Sequence, residues 1–94
     1  MSTLDTDTIR QRLADLDGWE HDGSHIVREL QFDEFREAVG FINRVADLAD
    51  DADHHPDLYN SYTTVRVALT THSEGGVTDK DLDLAGRIDG AVAG

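Results

Sequence analysis

The sequence contains no cysteine, a single proline and a single lysine. Without cysteine the chain cannot form a disulfide bond, a thiolate nucleophile or a sulfur-ligated metal site. It also has no apolar run near the roughly 18 residues that cross a bilayer, and no secretory signal peptide is recognisable. We therefore expect a soluble, cytoplasmic protein with no membrane partner.

Positive charge is scarce as well. Eight lysine and arginine residues stand against twenty aspartate and glutamate residues, which gives a formal net charge of −12. Residues 1–47 and residues 48–94 each carry −6, so the excess belongs to the whole surface and not to an acidic tail. Because nucleic-acid binding relies on lysine and arginine to neutralise phosphates, we expect no nucleic-acid partner.

Aspartate accounts for fifteen of the twenty acidic residues. High net charge destabilises a compact state through self-repulsion, a property associated with halophilic proteins. In molar salt, where the Debye length is about 3 Å, most of this repulsion disappears. We therefore hypothesise that the protein works in a salt-rich cytoplasm; an ordinary acidic protein is the alternative.

The 94 residues are enough for one domain, which we expect to span 1–94 without a linker or a repeat. Hydrophobic periodicity and turn residues predict three helices, over about 5–16, 34–51 and the segment after 78, and four strands, over about 19–21, 26–32, 58–62 and 64–72. The order helix, two strands, long helix, two strands, helix indicates an α+β domain. We expect a four-stranded antiparallel sheet with helices packed on one face.

Several local signals refine this prediction. Asp5 or Thr6 can cap the first helix, and Asp33 is the predicted N-cap of the second. The Thr78-Asp79-Lys80-Asp81 segment has the spacing of a capping box for the last helix. In the strand over 26–32 the alternation of apolar and polar residues is broken by Arg28. The apolar stripe of the second helix is predicted to contain Phe35, Ala38, Val39, Ile42, Val45, Ala46 and Ala49.

Three of the five histidines flank the second pair of strands: His54 and His55 precede it, and His72 ends it. A hairpin-like return of the strands would bring them together, with Asp50 one helical turn before His54. Imidazole suits proton transfer near neutral pH because its unperturbed pKa is about 6.5. Asp50 could orient one ring or increase its basicity. We expect no metal, because adjacent histidines seldom point at one ion and no zinc-binding spacing is present.

Each of these residues also has a plainer interpretation. His21 and His25 lie beside the first hairpin turn, and we expect both to be solvated. Asp81 is expected to be a helix cap and not a catalyst. The plainer interpretations of the other candidates are a polar loop for His54-His55-Pro56, a solvated strand end for His72 and a surface acid for Asp50.

The spacing of these groups is more specific than the groups themselves. Asp50 is followed after three residues by His54-His55-Pro56, after five more by Tyr62, after nine more by His72 and after eight more by Asp81. This pattern resembles the signature of pterin-4a-carbinolamine dehydratases. The resemblance extends over about 9–92 and includes Gly18-Trp19 and the Phe-Ile-Asn-Arg-Val-Ala segment at 41–46.

The resemblance implies a helix-backed, four-stranded antiparallel sheet whose subunits form homodimers or homotetramers. It implies removal of water from a 4a-hydroxytetrahydropterin to give the quinonoid dihydropterin, with no cofactor. Transferred by position, His54, His55 and His72 would line the pterin pocket and transfer protons, and Asp50 would be the supporting acid. The implied substrate-binding residues are Pro56, Thr70, Thr71 and Ser73.

Two positions depart from the family pattern. Many relatives carry glutamate at the position of Asp50, and some carry an aromatic residue at the position of Leu58. Both changes leave the histidines intact and affect the shape of the pocket and the substrate preference. The alternative function is a non-catalytic pterin-binding or protein-dimerisation module, since some members of the family stabilise the dimerisation helix of a transcription factor. The presence of all three histidines favours the enzyme.

Overall fold

The computed structural model describes residues 3–16 and 18–92. The three helices are α1 (Thr6–Leu13), α2 (Phe35–Ala52) and α3 (Asp79–Val92), and the four strands are β1 (Glu20–His21), β2 (Ile26–Gln31), β3 (Asp57–Ser61) and β4 (Thr64–Leu69). The predicted order of helices and strands is confirmed, and so is the α+β fold class. No helix among these residues is long and apolar enough to cross a bilayer.

The strands form one antiparallel sheet in the order β1-β2-β4-β3. In the pairing of β2 with β4, Ile26 lies opposite Leu69 and Leu30 lies opposite Val65. These residues are buried under the helices, whereas all five residues of β3 are exposed. β3 is an edge strand of the sheet, because β4 is its single neighbour in the strand order.

The long helix packs on the sheet through a face that agrees only in part with the predicted one. Ala38, Val45 and Ala49 are buried as expected, but Phe41 is also completely buried, and the predicted core residue Phe35 is 49% exposed. Ala46 is exposed, and Val39 and Ile42 are only half-buried. The apolar stripe of α2 is wider than the surface that the sheet covers, so the pattern alone could not show which part is buried.

The N-terminal ends of the helices agree with the predictions in two of three cases. The Asp5 carboxylate accepts a hydrogen bond from the Thr8 backbone N–H at 2.8 Å, and this bond lowers the pKa of the Asp5 carboxyl. The capping box of α3 is present, since Thr78 precedes the helix and its N–H donates to Asp81 at 2.9 Å. The prediction for α2 is wrong: Glu34 is the N-cap and forms no capping bond, so Asp33 lies one residue too early.

The break in the pattern of β2 has a structural explanation. Arg28 lies on the helix-facing side of the sheet, where its Nη1 is 2.5 Å from Asp89 Oδ1 of α3. The same oxygen accepts a hydrogen bond from Trp19 Nε1 at 2.7 Å. The arginine and aspartate side chains are 19% and 22% exposed. A partly buried ion pair therefore joins α3 to the sheet at a position where the alternation calls for an apolar residue.

β4 ends at Leu69, whereas the sequence predicted a strand that continues to His72. Beyond it, Thr71 forms an isolated bridge with Gly76 and its carbonyl accepts the N–H of Gly75. Gly75 adopts a φ of +78°, which glycine reaches without steric cost. The chain therefore reverses in a 3₁₀ turn over His72–Glu74, and His72 opens this turn outside the sheet.

Candidate active site

The end of α2 positions the two adjacent histidines. The backbone N–H of His54 donates to the carbonyl of Ala49 at 3.1 Å, and that of Asp53 donates to the carbonyl of Asp50 at 3.2 Å. Asp53 has a φ of +50°, and the two bonds form a Schellman motif around it. Pro56 cannot continue the helix, so the chain leaves it in an extended conformation that leads into β3.

His54 points inward, towards the first turn of α3. Its side chain is 12% exposed, and its Nε2 lies 2.5 Å from Asp81 Oδ1. Because a carboxylate accepts hydrogen bonds, Nε2 carries the ring hydrogen in the neutral imidazole. The other ring nitrogen, Nδ1, has no hydrogen-bond partner among the described residues. It is therefore the nitrogen available for a ligand.

Asp81 is completely buried and has three hydrogen-bond donors around it. Besides His54, the Thr71 hydroxyl donates to its Oδ2 at 2.8 Å and the Thr78 backbone N–H donates at 2.9 Å. A buried carboxylate is tolerated when its oxygens are hydrogen-bonded in this way. Asp81 is thus the predicted helix cap and, in addition, the group that fixes the tautomer and the orientation of the His54 ring.

His55 points away from His54, towards the surface. Its Nε2 lies 2.9 Å from Asp50 Oδ1, and the two side chains are 60% and 79% exposed. Asp50 therefore contacts His55 and not His54. An exposed pair of this kind contributes little to stability, so its geometry is more relevant to chemistry than to folding. Pro56, which follows, is half-buried at the start of β3.

His72 is exposed, and its ring packs edge-on against the ring of His25, with the centroids 6.4 Å apart and the planes at 76°. The His25 side chain is 26% exposed and so only partly solvated, and its contact with His72 was not predicted from the sequence. The pairing of Ile26 with Leu69 explains the contact, because it brings the residue before β2 alongside the segment that follows β4. Thr71, next to His72, connects this side of the site to His54 through Asp81.

The hydroxyl groups of the two predicted substrate-binding threonines have partners within the fold. Thr70 Oγ1 donates to the carbonyl of Ser24 at 2.7 Å, and Thr71 Oγ1 donates to Asp81. Ser73 is exposed in the 3₁₀ turn and its side chain forms no hydrogen bond with the residues that the structure describes. Of the three hydroxyls, that of Ser73 is the one free to contact a ligand.

His54, His55 and His72 line none of four cavities formed by the described residues. One of about 650 Å³ lies between α1 and β1, away from the three predicted catalytic histidines. Within 3–16 and 18–92, no cluster of three or more histidine or acidic side chains is arranged to hold a metal ion. The residues that line the cavity are Thr6, Arg10, Leu13, Ala14, Trp19, Glu20, His21 and Gly23.

Two residues contact the predicted histidines in ways that the sequence did not indicate. Asp81 occupies the last position of the spaced signature. Its place in the capping box was a sufficient reason for an acidic residue there, so no local pattern indicated a contact with His54. His25 lacks any signal, because it precedes a strand whose pairing partner is distant in sequence. Both residues join the site through contacts between segments far apart in the chain.

Comparison with known proteins decides the family. A sequence model described as pterin 4 alpha carbinolamine dehydratase matches residues 2–91. The chain belongs to this family. A relative from Thermomicrobium roseum, with the provisional name pterin-4-alpha-carbinolamine dehydratase, is 47% identical over 94% of this chain and 95% of its own. A relative from Halobacterium salinarum with the same name is 48% identical over 92% of each chain.

Solved structures agree with the family assignment. A crystal structure described as a transcriptional coactivator/pterin dehydratase from Brucella melitensis matches with a TM-score of 0.91 and 38% identity, over 97% of this chain and 99% of that one. A pterin dehydratase-like protein described as a RuBisCO assembly factor in the alpha-carboxysome matches with a TM-score of 0.69 and 18% identity, over 80% of this chain and 89% of its own. The second likeness concerns the fold alone.

Membership of the pterin-4a-carbinolamine dehydratase family supports a dehydratase. The described geometry pairs two of the predicted histidines with carboxylates: His54 contacts the buried Asp81, and His55 contacts the exposed Asp50.

Proposed function

We propose that the protein removes water from a 4a-hydroxytetrahydropterin, giving the quinonoid dihydropterin, by acid–base catalysis with His54, His55 and His72. The observation that carries the proposal is the His54–Asp81 pair. A buried carboxylate holds one ring nitrogen and leaves Nδ1 of a nearly buried imidazole without a partner among the described residues. An orienting carboxylate on the far nitrogen is a recurrent support for a histidine that transfers protons.

The chemistry requires two proton transfers. The C4a hydroxyl is a poor leaving group until it is protonated, after which the C–O bond breaks and water departs with the bonding electrons. A ring nitrogen then supplies the electron pair of the new carbon–nitrogen double bond and loses its proton. Imidazoles can perform both transfers near neutral pH, and one positioned acid or base contributes about 10²–10⁴-fold.

The predicted roles of the neighbouring residues follow this scheme. Asp50 supports His55 through their 2.9 Å contact. Ser73 and the backbone around Thr70 and Thr71 contact the pterin ring, and Pro56 shapes the pocket. The substrate is the only partner that the reaction needs, because histidine side chains can donate one proton to the leaving hydroxyl and accept the other from the ring nitrogen without a metal or an organic cofactor.

We further propose that the chain is one domain over 1–94, that it works in the cytoplasm, and that it forms a homodimer or homotetramer. The support for assembly is the edge strand β3, which has five exposed residues. Leu58 and Tyr59 within it, and Tyr62 directly after it, are 39%, 60% and 72% exposed. An exposed strand edge with apolar side chains is a ready surface for pairing with a second chain.

The deciding experiment is a dehydration assay on synthetic 4a-carbinolamine in molar potassium chloride. We expect the wild-type protein to accelerate loss of the carbinolamine well above buffer, and to keep this activity after exhaustive chelation. Activity that disappears on chelation and returns with zinc would make the histidines metal ligands and contradict the acid–base mechanism. No acceleration by the folded protein would contradict the dehydratase itself.

A second candidate is a non-catalytic regulatory module that binds a pterin or a protein partner. The observation that favours it is the description of the Brucella melitensis structure as a transcriptional coactivator as well as a pterin dehydratase. The exposed Phe35 on α2 offers an apolar contact for such a partner. A protein that binds the pterin by calorimetry but does not accelerate its dehydration would favour this second function.

A further inference from the structure

The strongest unexplained feature of the site is the contact between His25 and His72. His25 belongs to the β1–β2 turn, which the sequence analysis assigned to solvent, and it is 47 residues away from His72 in the chain. Its side chain is nevertheless about three-quarters buried, and its ring meets that of His72 at an angle of 76°. Aromatic pairs favour such edge-to-face geometry, which holds both rings in a defined relative orientation.

The backbone at His25 is firmly held. Its N–H donates to Asp22 Oδ1 at 2.8 Å, and its carbonyl accepts the N–H of Asp22 at 3.0 Å, which closes the turn. The bond from the His25 N–H lowers the pKa of the Asp22 carboxyl. The next residue, Ile26, is completely buried in the sheet opposite Leu69. The ring therefore projects from a fixed point of the fold.

The ring of His25 is also held by side chains from two segments. Ser24 Oγ lies 2.7 Å from its Nδ1, and Asp57 Oδ2, at the start of β3, lies 3.8 Å from its Nε2. Asp22 Oδ1 lies 4.0 Å from its Nδ1. The hydrogen bond with Ser24 restricts rotation of the imidazole, while the two carboxylates are near its nitrogens but beyond hydrogen-bond distance.

His72 has no comparable support. It opens a 3₁₀ turn, its side chain is exposed, and within the described part of the chain its ring forms no hydrogen bond or ion pair. Among the described residues, the aromatic contact with His25 is the only interaction of this ring. A group that transfers a proton must be held close to its productive geometry, because a displacement of about 1 Å can slow a reaction 10²-fold.

We propose that His25 is a positioning residue that holds the His72 ring in the orientation required for proton transfer. The proposal rests on the proposed dehydratase function and adds to it a residue that does not touch the substrate. The anchored ring of His25 supplies to His72 what Asp81 supplies to His54: a fixed neighbour that restricts the ring. The contact depends on the shape of an aromatic ring, so another aromatic side chain at position 25 can replace it.

The test compares His25→Ala with His25→Phe, which keeps an aromatic ring but no ring nitrogens. His21→Ala is the matched control, because it removes the same side chain from the same hairpin at a position with no recorded contact to His72. Dehydration kinetics give kcat and KM separately. NMR follows the ring protons of His72, assigned by their loss in His72→Gln, and thermal unfolding verifies that each variant folds.

For His25→Ala we expect kcat to fall about fivefold to tenfold, with KM changed less than about twofold, because the chemical step depends on the orientation of His72. The His72 ring resonances shift in this variant. His25→Phe restores both kcat and the resonances, and His21→Ala alters neither.

Wild-type kcat in folded His25→Ala, or a kcat in His25→Phe as low as in His25→Ala, would overturn the proposal. If the wild-type protein showed no dehydration at all, the proposed function would fail instead. In that case the NMR resonances would still test the contact between His25 and His72. His72 resonances that do not shift in His25→Ala would show that the contact is absent.

Discussion

At the scale of single residues, the site depends on how each histidine is held. His54 contacts a buried carboxylate, His55 an exposed one and His72 another imidazole. Among the residues that the structure describes, Asp81 is the only buried acidic residue. A buried carboxylate in an acidic molecule is costly unless it is fully hydrogen-bonded, and its use as both helix cap and histidine partner supplies the necessary donors.

Replacement of the two histidines on opposite sides of the site tests their role. We expect His54→Ala and His72→Ala each to lower the dehydration rate by roughly 10²-fold or more, because each removes a proton-transfer group. Asp50→Asn should cost less, since Asp50 supports a ring and donates no proton itself. The rates are measured on variants whose circular dichroism matches the wild type. A folded variant of either histidine that keeps the wild-type rate would exclude that histidine from catalysis.

The N-cap of α1 gives stability that depends on pH. The hydrogen bond from Thr8 lowers the pKa of the Asp5 carboxyl below its usual 3.8, so its stabilising effect is complete above that pH. It is lost as the pH falls through the lower value of the folded state. We therefore expect the difference in Tm between wild type and Asp5→Ala to shrink as the pH is lowered from 6 to about 2.5. Asp5→Asn keeps the capping oxygen without the charge, and its deficit should be smaller at pH 6. A deficit of Asp5→Ala that stays constant with pH would contradict this account.

At the scale of helices and strands, α3 organises the site. Its first turn presents Asp81 to His54, and Asp89 near its other end accepts from Arg28 and Trp19. α2 contributes the turn that sends His54 inward and His55 outward. Because the proposed acid–base groups lie just beyond α2, in the turn that follows β4 and in the first turn of α3, the packing of these elements decides whether the site forms.

Loss of Asp89 should therefore weaken the fold well beyond an ordinary surface change. Asp89→Ala leaves a partly buried guanidinium and an indole N–H without their acceptor, which we expect to cost about 2–4 kcal/mol of unfolding free energy. The matched control is Asp83→Ala on the same helix, where the side chain is 72% exposed and its arginine contact is 3.6 Å. We expect the control to change stability by less than about 0.5 kcal/mol. Urea unfolding in molar salt measures both, and equal losses would show that the buried position of the Asp89 pair adds nothing.

At the scale of the whole molecule, the net charge of −12 on 94 residues governs how the chain behaves in solution. With eight cationic residues, few acidic groups can be paired, and assembly of subunits would bring like-charged surfaces together. We propose that the protein is adapted to salt. A similar protein is present in Halobacterium salinarum, a halophile, but others come from organisms such as Sulfolobus acidocaldarius.

Salt should therefore raise both stability and assembly. From about 0.1 M to 3 M potassium chloride the Debye length falls from about 10 Å to below 3 Å, which removes most of the repulsion between carboxylates. We expect Tm to rise over this range and the molar mass from light scattering to reach that of a dimer or tetramer at high salt. Sodium chloride at the same ionic strength serves as a control for a specific potassium effect. The same Tm and the same molar mass at both extremes would exclude the adaptation to salt and leave the dehydratase assignment untouched.

Much of the fold could be predicted because its signals are local. The run over 64–72 predicted a strand, and β4 occupies its first six residues, with Val65, Val67 and Leu69 buried. The errors arose where local signals were ambiguous or distant contacts intervened. Asp33 and Glu34 are adjacent acids before one helix, and the structure uses the second as the N-cap. The strand predicted to reach His72 ends early because Thr71 pairs with Gly76 across the turn.

The sequence by itself determined the order of helices and strands, the capping box, the acidic character and the spaced signature that indicates the family. These features depend on residue type and on separations along the chain, which can be counted without knowing how the chain packs. Only the tertiary structure decided which partner each histidine has. The two residues of the His54–Asp81 pair are 27 apart and those of the His25–His72 pair are 47 apart. Contacts over such separations depend on strand register and on how the helices pack on the sheet. A side chain beyond the end of a helix or strand has no periodicity that would reveal its direction.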